Sequence, residues 1–139
     1  MLLVGAIFVS EKSDALGAKL TGHPAKILLD RHEENLATGN RPESVQHLRI
    51  GGQRDGTLTA IHLKAYTAAG AYILIPLAIG GPVRQLHSCP HVKTERYTVF
   101  TNTGPLSAFR GPGYVEGTFA LESIVDELAE KLSMDPLEL

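Results

Sequence analysis

Hydrophobic positions recur with helical spacing in two stretches of the chain and with strand-like spacing in three more. In "KSDALGAKLTG", Asp14, Leu16, Lys19 and Leu20 share a helical spacing, and Gly22 is placed to end the helix. "PAKILLD" reads as a short strand, with Ile27, Leu28 and Leu29 nearly continuous and so buried on both faces. Asp30 then serves as an N-cap, with Glu33 three residues on in a capping box and Gly39 closing the short helix. "VQHLRIGGQRDGTLTAIHLKAYTAAGAY" reads as a long hairpin turning at Asp55-Gly56. Ile61, Leu63 and Ala65 fall on one face of its second strand, with His62, Lys64 and Tyr66 on the other. Residues 70–88 are apolar but broken by Pro76, Gly80, Gly81 and Pro82, which predicts a loop with one helical turn. "HVKTERYTVFTN" alternates through Val92, Tyr97 and Val99 with one irregularity, a further strand. From Val115 the period becomes helical: Leu121, Val125, Leu128 and Leu132 form the stripe, while Glu122, Asp126, Glu127, Glu130 and Lys131 face water. Glu127 and Lys131 stand four apart, a supportive spacing for opposite charges. These elements predict a mixed α/β (α+β) fold, with strands and a long hairpin packed against helices.

Both ends modify this picture. The opening "MLLVGAIFV" is apolar for nine residues, has no basic residue before it, and meets Glu11 and Lys12 at once. It is too short to span a bilayer and reads as a buried strand or helix start, the alternative being a degraded signal sequence. In "SMDPLEL", Asp135 is an N-cap and Pro136 a first helical residue, so the chain stops inside the first turn of a new helix. A stub of that length is unstable in water, which predicts a truncated protein.

The 139 residues allow one ordinary domain or a piece of a larger one. Hydrophobic content of 43% and charged content of 20% are globular values and leave no case for disorder. With a net charge of −2 and no basic cluster, neither nucleic acid nor an anionic membrane is the expected partner. The single cysteine, Cys89, excludes an internal disulfide and fits a reducing compartment.

Three clusters offer chemistry. His87, Cys89 and His91 in "HSCPH" are spaced to face one way on a strand; zinc usually takes a fourth ligand, and Pro90 disrupts strand geometry, so a plain surface strand is the preferred reading. "DRHEEN" resembles an acid/base cluster, but capping already accounts for Asp30 and Glu33. The stretch "TNTGPLSAFRGPGYVEGTF" is the more informative one. Gly111 and Gly113 let backbone approach a ligand, Pro112 stiffens the loop, and the following helix start directs N–H groups back toward it. With Arg110 these make a candidate anion or oxyanion site. The competing reading is that Gly-Pro-Gly is ordinary turn chemistry and Glu116 satisfies the helix start.

"TNTGPLSAFRGPGYVEGTFALESIVDELAEKLSMDPLEL" resembles the molybdenum-binding large subunit of the xanthine dehydrogenase and aldehyde oxidase family. That family carries an F-R-G/A-x-G loop, a helix with D-E-L-A, and an M-D-P-L-E end. "TGHPAKILLDRHEENLATGNRPESVQHLRIGGQRDGTLTAI" is similar to the same family's T-G-R-P-V-K segment, D-R-E-E helix and R-D-G-T-L hairpin, in collinear order. The resemblance divides the chain into a poorly matched segment, 1–14, and a partial molybdopterin-binding domain, 15–139, truncated at both ends.

The resemblance implies a molybdenum cofactor, molybdopterin or molybdopterin cytosine dinucleotide. It implies oxidative hydroxylation of an aldehyde or N-heterocycle carbon with oxygen from water. Electrons would leave through iron–sulfur clusters, often to a flavin, so iron–sulfur and FAD subunits or domains are the implied partners. Phe109, Arg110 and Gly111 match the cofactor-binding loop against the molybdenum centre, and Pro112 matches its substrate-side residue. Arg110 would give electrostatic support, and no residue of this chain matches a metal ligand or the catalytic base. The family's G-G-G-F-G cofactor loop is absent, and its catalytic glutamate belongs far beyond Leu139. The substrate-orienting arginine of xanthine-oxidising members aligns with Ala78, with Arg84 nearby but out of register. That speaks against xanthine, and Pro112 is more similar to bacterial aldehyde-type loops. The implied protein is a fragment, inactive alone, in the cytoplasm or alternatively the periplasm. The contrasting expectation is a non-catalytic α/β scaffold or interaction module derived from that subunit.

Overall fold

A computed structural model describes residues 4–72 and 77–139, with side chains from residue 13 onward. Pro76, expected to break the chain, lies outside the described residues. The elements are α1 (Val4–Thr21), α2 (Arg31–Ala37), β1 (Ser44–Gly52), β2 (Leu58–Gly70), α3 (Gly81–Gln85), β3 (His91–Phe100) and α4 (Tyr114–Leu132). They fall into two compact units. One holds residues 1–42, 68–75 and 100–110, and the other holds 43–67, 76–99 and 111–139. Among the described residues no helix is long and apolar enough to cross a membrane.

In the first unit, the N-terminal apolar run is the start of a helix from Val4 onward, and α1 stops where Gly22 takes a φ of 72°. The capping box of α2 forms as the spacing requires. Glu33 N–H donates to Asp30 Oδ1 at 2.8 Å, and Asp30 N–H donates to Glu33 Oε2 at 2.9 Å. Two expectations fail here. "PAKILLD" is not a strand: residues 24–30 carry no ladder, and Leu28 is 82% exposed. A continuous apolar run needs neighbouring strands to take its backbone groups, and this segment is instead anchored by Ile27 N–H on Asp14 Oδ1 at 2.6 Å. Gly39 does not close α2 either; Thr38, in an extended conformation, ends the helix. Gly39 is required by close packing, since a Cβ there would lie 2.4 Å from Ser107 Cβ and 2.7 Å from the Pro105 carbonyl oxygen.

In the second unit, β1 and β2 form the expected antiparallel hairpin around Asp55-Gly56, with Leu48 opposite Leu63 and Ile50 opposite Ile61. The three-stranded sheet has the order β1-β2-β3 and is mixed. Contacts along β2 and β3 ascend together, His62 against Glu95 and Thr67 against Tyr97. Ile61, Leu63 and Ala65 are buried, and Ile79, Val83, Leu121 and Val125 complete one apolar cluster with them. The α4 stripe runs as the period predicts, with Gly117 and Ala129 also buried on that face. The C-terminal residues form an Asp135-capped turn, in which Leu137 N–H donates to Asp135 Oδ1 at 2.8 Å.

Candidate functional site

The "FRGPG" loop runs from the first unit, which ends at Arg110, into the second, which resumes at Gly111. In the first unit, the chain approaching Phe109 is held as if it were a strand. Asn40 and Leu106 form an isolated parallel bridge. Asn40 N–H donates to the Pro105 carbonyl at 3.1 Å, Ser107 N–H to the Asn40 carbonyl at 3.0 Å, and Leu106 N–H to the Ala69 carbonyl at 3.1 Å. Leu106 is buried at 2% exposure and fixes the segment's apolar side. Beyond it, Arg41 takes over. Its Nη2 donates to the carbonyl oxygens of Phe109 at 2.8 Å and Arg110 at 3.1 Å, and its guanidinium carbon lies 4.9 Å from the centre of the Phe109 ring. Phe109 is half-buried and Arg110 exposed.

Sequence reasoning missed Arg41. It lies 68 positions from Phe109 in a polar stretch, "GNRPES", where no local period marks it.

In the second unit, Gly111 and Gly113 both take positive φ, 67° and 79°. Gly111 is exposed, and a Cβ placed there would meet its nearest neighbour, Val115 Cγ2, at an ordinary 3.6 Å. Gly113 is buried, and a Cβ would sit 2.7 Å from the backbone nitrogens of Ala78 and Ile79. So the first glycine meets open surface and the second is needed for packing. Pro112, between them, is half-buried. The helix start differs from expectation. Tyr114 N–H donates to the Gly111 carbonyl at 3.0 Å, Val115 N–H reaches the same oxygen at 3.4 Å, and Gly117 N–H donates to the Gly113 carbonyl. The first amides of α4 are therefore largely spent inside the loop, because the two left-handed glycines fold its carbonyls back onto the helix. The N-cap residue is Gly113, which has no side chain to offer, and Glu116 stands in the first turn of the helix.

The histidine cluster is dispersed. The strand begins only at His91, and His87 lies in the turn after α3, 3.0 Å from Glu122 Oε1 through its Nε2. Cys89 Sγ contacts the His91 carbonyl at 3.6 Å. Among the described residues no three His, Cys, Asp or Glu side chains are placed to hold a metal ion. Ala78 is exposed before α3, and Arg84 Nη2 donates to Thr94 Oγ1 at 2.6 Å.

A family model described as "Molybdopterin cofactor-binding domain" matches residues 9–139. This chain belongs to that family. Among its relatives is the xanthine dehydrogenase molybdenum-binding subunit of Escherichia coli O157:H7, 36% identical over 129 residues that cover 89% of this chain and 17% of that protein. The aldehyde oxidoreductase of Megalodesulfovibrio gigas is 34% identical, covering 94% of this chain and 15% of that protein. The crystal structure of quinoline 2-oxidoreductase from Pseudomonas putida 86 superposes with a TM-score of 0.74 at 27% identity, over 88% of this chain and 16% of that one. This member of the molybdopterin cofactor-binding family thus spans about a sixth of the length of such relatives. Its loop has a donor set suited to an oxygen-rich, anionic group. Arg110 is an exposed residue that carries a positive charge and N–H donors, and Gly111, next to it in the chain, is exposed as well.

Proposed function

We propose that this chain is part of a molybdenum hydroxylase large subunit, which in complete form oxidatively hydroxylates aldehydes or N-heterocycles with oxygen from water. The observation that carries the reading is the Phe109–Gly113 motif within a family match of residues 9–139, with Arg41 bonded to the carbonyls of Phe109 and Arg110. A molybdopterin or molybdopterin cytosine dinucleotide cofactor, when bound, supplies the two-electron redox chemistry. The protein's share is orientation and electrostatics. Arg110 would offer its charge and N–H donors to the oxygen atoms and negative charge of that group. Gly111 keeps the adjoining backbone open to close approach, and Pro112 borders the substrate's side. Segments carrying iron–sulfur clusters and FAD complete the electron path, and the catalytic base comes from outside these 139 residues. A cytoplasmic setting accords with a single cysteine, Cys89.

The test is made in the complete protein. Arg110→Ala is expected to lower kcat for aldehyde oxidation on the order of 100-fold, the scale of losing one preorganised charge-stabilising donor. Molybdenum content is measured alongside, and unchanged turnover at equal metal loading removes Arg110 from the mechanism. A second reading is a non-catalytic α/β scaffold or interaction module derived from that subunit. Metal and pterin analysis of the purified chain separates the two, because stoichiometric bound cofactor defeats the scaffold.

A further inference from the structure

We propose that Arg41 is the positioning residue of the cofactor loop, a clamp that fixes where Phe109 and Arg110 stand. The inference rests on the reading above, that this loop faces the cofactor. Residues 105–107 are held by backbone bonds to Asn40 and Ala69 and by the buried Leu106, while Ala108, Phe109 and Arg110 lie beyond that bridge. Arg41 supplies what they lack. Its backbone is set first, because the adjacent Asn40 is bonded on both sides to Pro105 and Ser107. Its guanidinium, from that fixed base, binds two successive carbonyls and covers the Phe109 ring. Binding both carbonyls restricts the peptide plane between Phe109 and Arg110, and the ring contact selects the Phe109 side-chain orientation. A hydrogen bond from a charged donor is about twice as strong as a neutral one, and a cation over a ring face adds a further directional term. Arg110, one residue on, inherits its starting position from this arrangement.

The experiment uses the complete protein with Arg41→Ala and Arg41→Lys, the latter keeping charge without the planar fork. Amide hydrogen exchange is followed over residues 104–112 and, as an internal reference, over 117–129 of α4. The expected result is exchange faster by on the order of 10-fold or more in 104–112 for Arg41→Ala, with α4 unchanged and partial recovery in Arg41→Lys. Molybdenum content is expected to persist, with kcat falling more than KM rises. Unchanged exchange in 104–112 overturns the clamp. Faster exchange throughout the protein in both variants also overturns it, since Arg41 is then a general stabilising residue. If Arg41→Ala does not fold, the same comparison is read from Arg41→Lys. Faster loop exchange with unchanged turnover upholds the clamp and instead removes the reading that the loop serves the reaction, so the two failures are distinguishable.

Discussion

Glu95 shows how much of this surface is organised by single charges. Lys93 Nζ and His62 Nε2 each approach its Oε1 at 2.7 Å, and the Tyr97 hydroxyl donates to Oε2 at 3.3 Å. Lys64 stands over the Tyr66 and Tyr97 rings on the same stretch of sheet. The hydrogen bond from Lys93, then that from His62, lowers the Glu95 carboxyl from an ordinary 4.5 to about 2. Because the folded value is the lower one, the unfolded chain binds the proton more readily as the solution is acidified. The contribution is therefore full above about pH 5 and lost as pH falls toward about 2. Urea midpoints of the parent and Glu95→Gln are expected to differ at pH 6 and to converge near pH 2. The gap should shrink in high salt, because Lys93 is 69% exposed and the pair is screened. A gap independent of pH would show that Glu95 acts through packing and not through charge.

At the scale of elements, α4 sets two effects against each other at Gly117. Alanine is favoured over glycine inside a helix by about 1 kcal/mol. A Cβ at Gly117, however, would stand 2.4 Å from the Ile79 carbonyl oxygen and 3.1 Å from Pro82 Cγ. Overpacking of this kind costs roughly 1–3 kcal/mol, and a backbone carbonyl has little room to yield. Gly117→Ala is thus expected to destabilise despite its better helix propensity, measurable as a lower urea midpoint; a raised midpoint would mean that α3 shifts freely. Leu121→Ala removes a fully buried side chain from the same helix and is expected to cost roughly 2–5 kcal/mol. The α4 stripe, the hairpin and the α2 capping box were all legible in the sequence, because their causes lie within a few residues of each other. The tasks of Gly117, Gly39 and Arg41 were not. Each depends on a partner far along the chain, and no local period encodes it. The same limit explains "PAKILLD": its apolar run satisfied the local rule for a strand, but strand formation depends on a neighbour that the local rule does not see. The candidate site divided likewise, for Phe109–Gly113 stood out by motif while the helix amides turned out to be committed to the Gly111 carbonyl.

At the scale of the whole molecule, both units present large apolar side chains to solvent. Leu20 at 77%, Leu28 at 82% and Leu36 at 74% do so in the first unit, as do Phe119 at 77% and Leu137 at 96% in the second. Scattered exposed leucines are ordinary. Phe119 is different, since it lies on the outer side of α4 with the exposed Val115 one turn earlier. Beside them Ser44, Gln46 and Leu48 of β1 line a groove of about 570 Å³. Gln46 Nε2 donates to the Glu116 carbonyl at 3.0 Å across that groove. A large exposed aromatic beside a β-branched side chain favours association in water, driven by apolar burial and so weakly dependent on salt. The chain produced by itself is expected to bind a hydrophobic dye and to elute above monomer size, with the elution little changed between low and high salt. Phe119→Ser is expected to reduce both signals, and to leave the urea midpoint unchanged at concentrations dilute enough for the parent chain to be monomeric, because the side chain it replaces is exposed there. A monomeric, dye-silent parent chain would mean that this face is tolerated in solvent. Dissociation on adding salt would instead assign the association to charge.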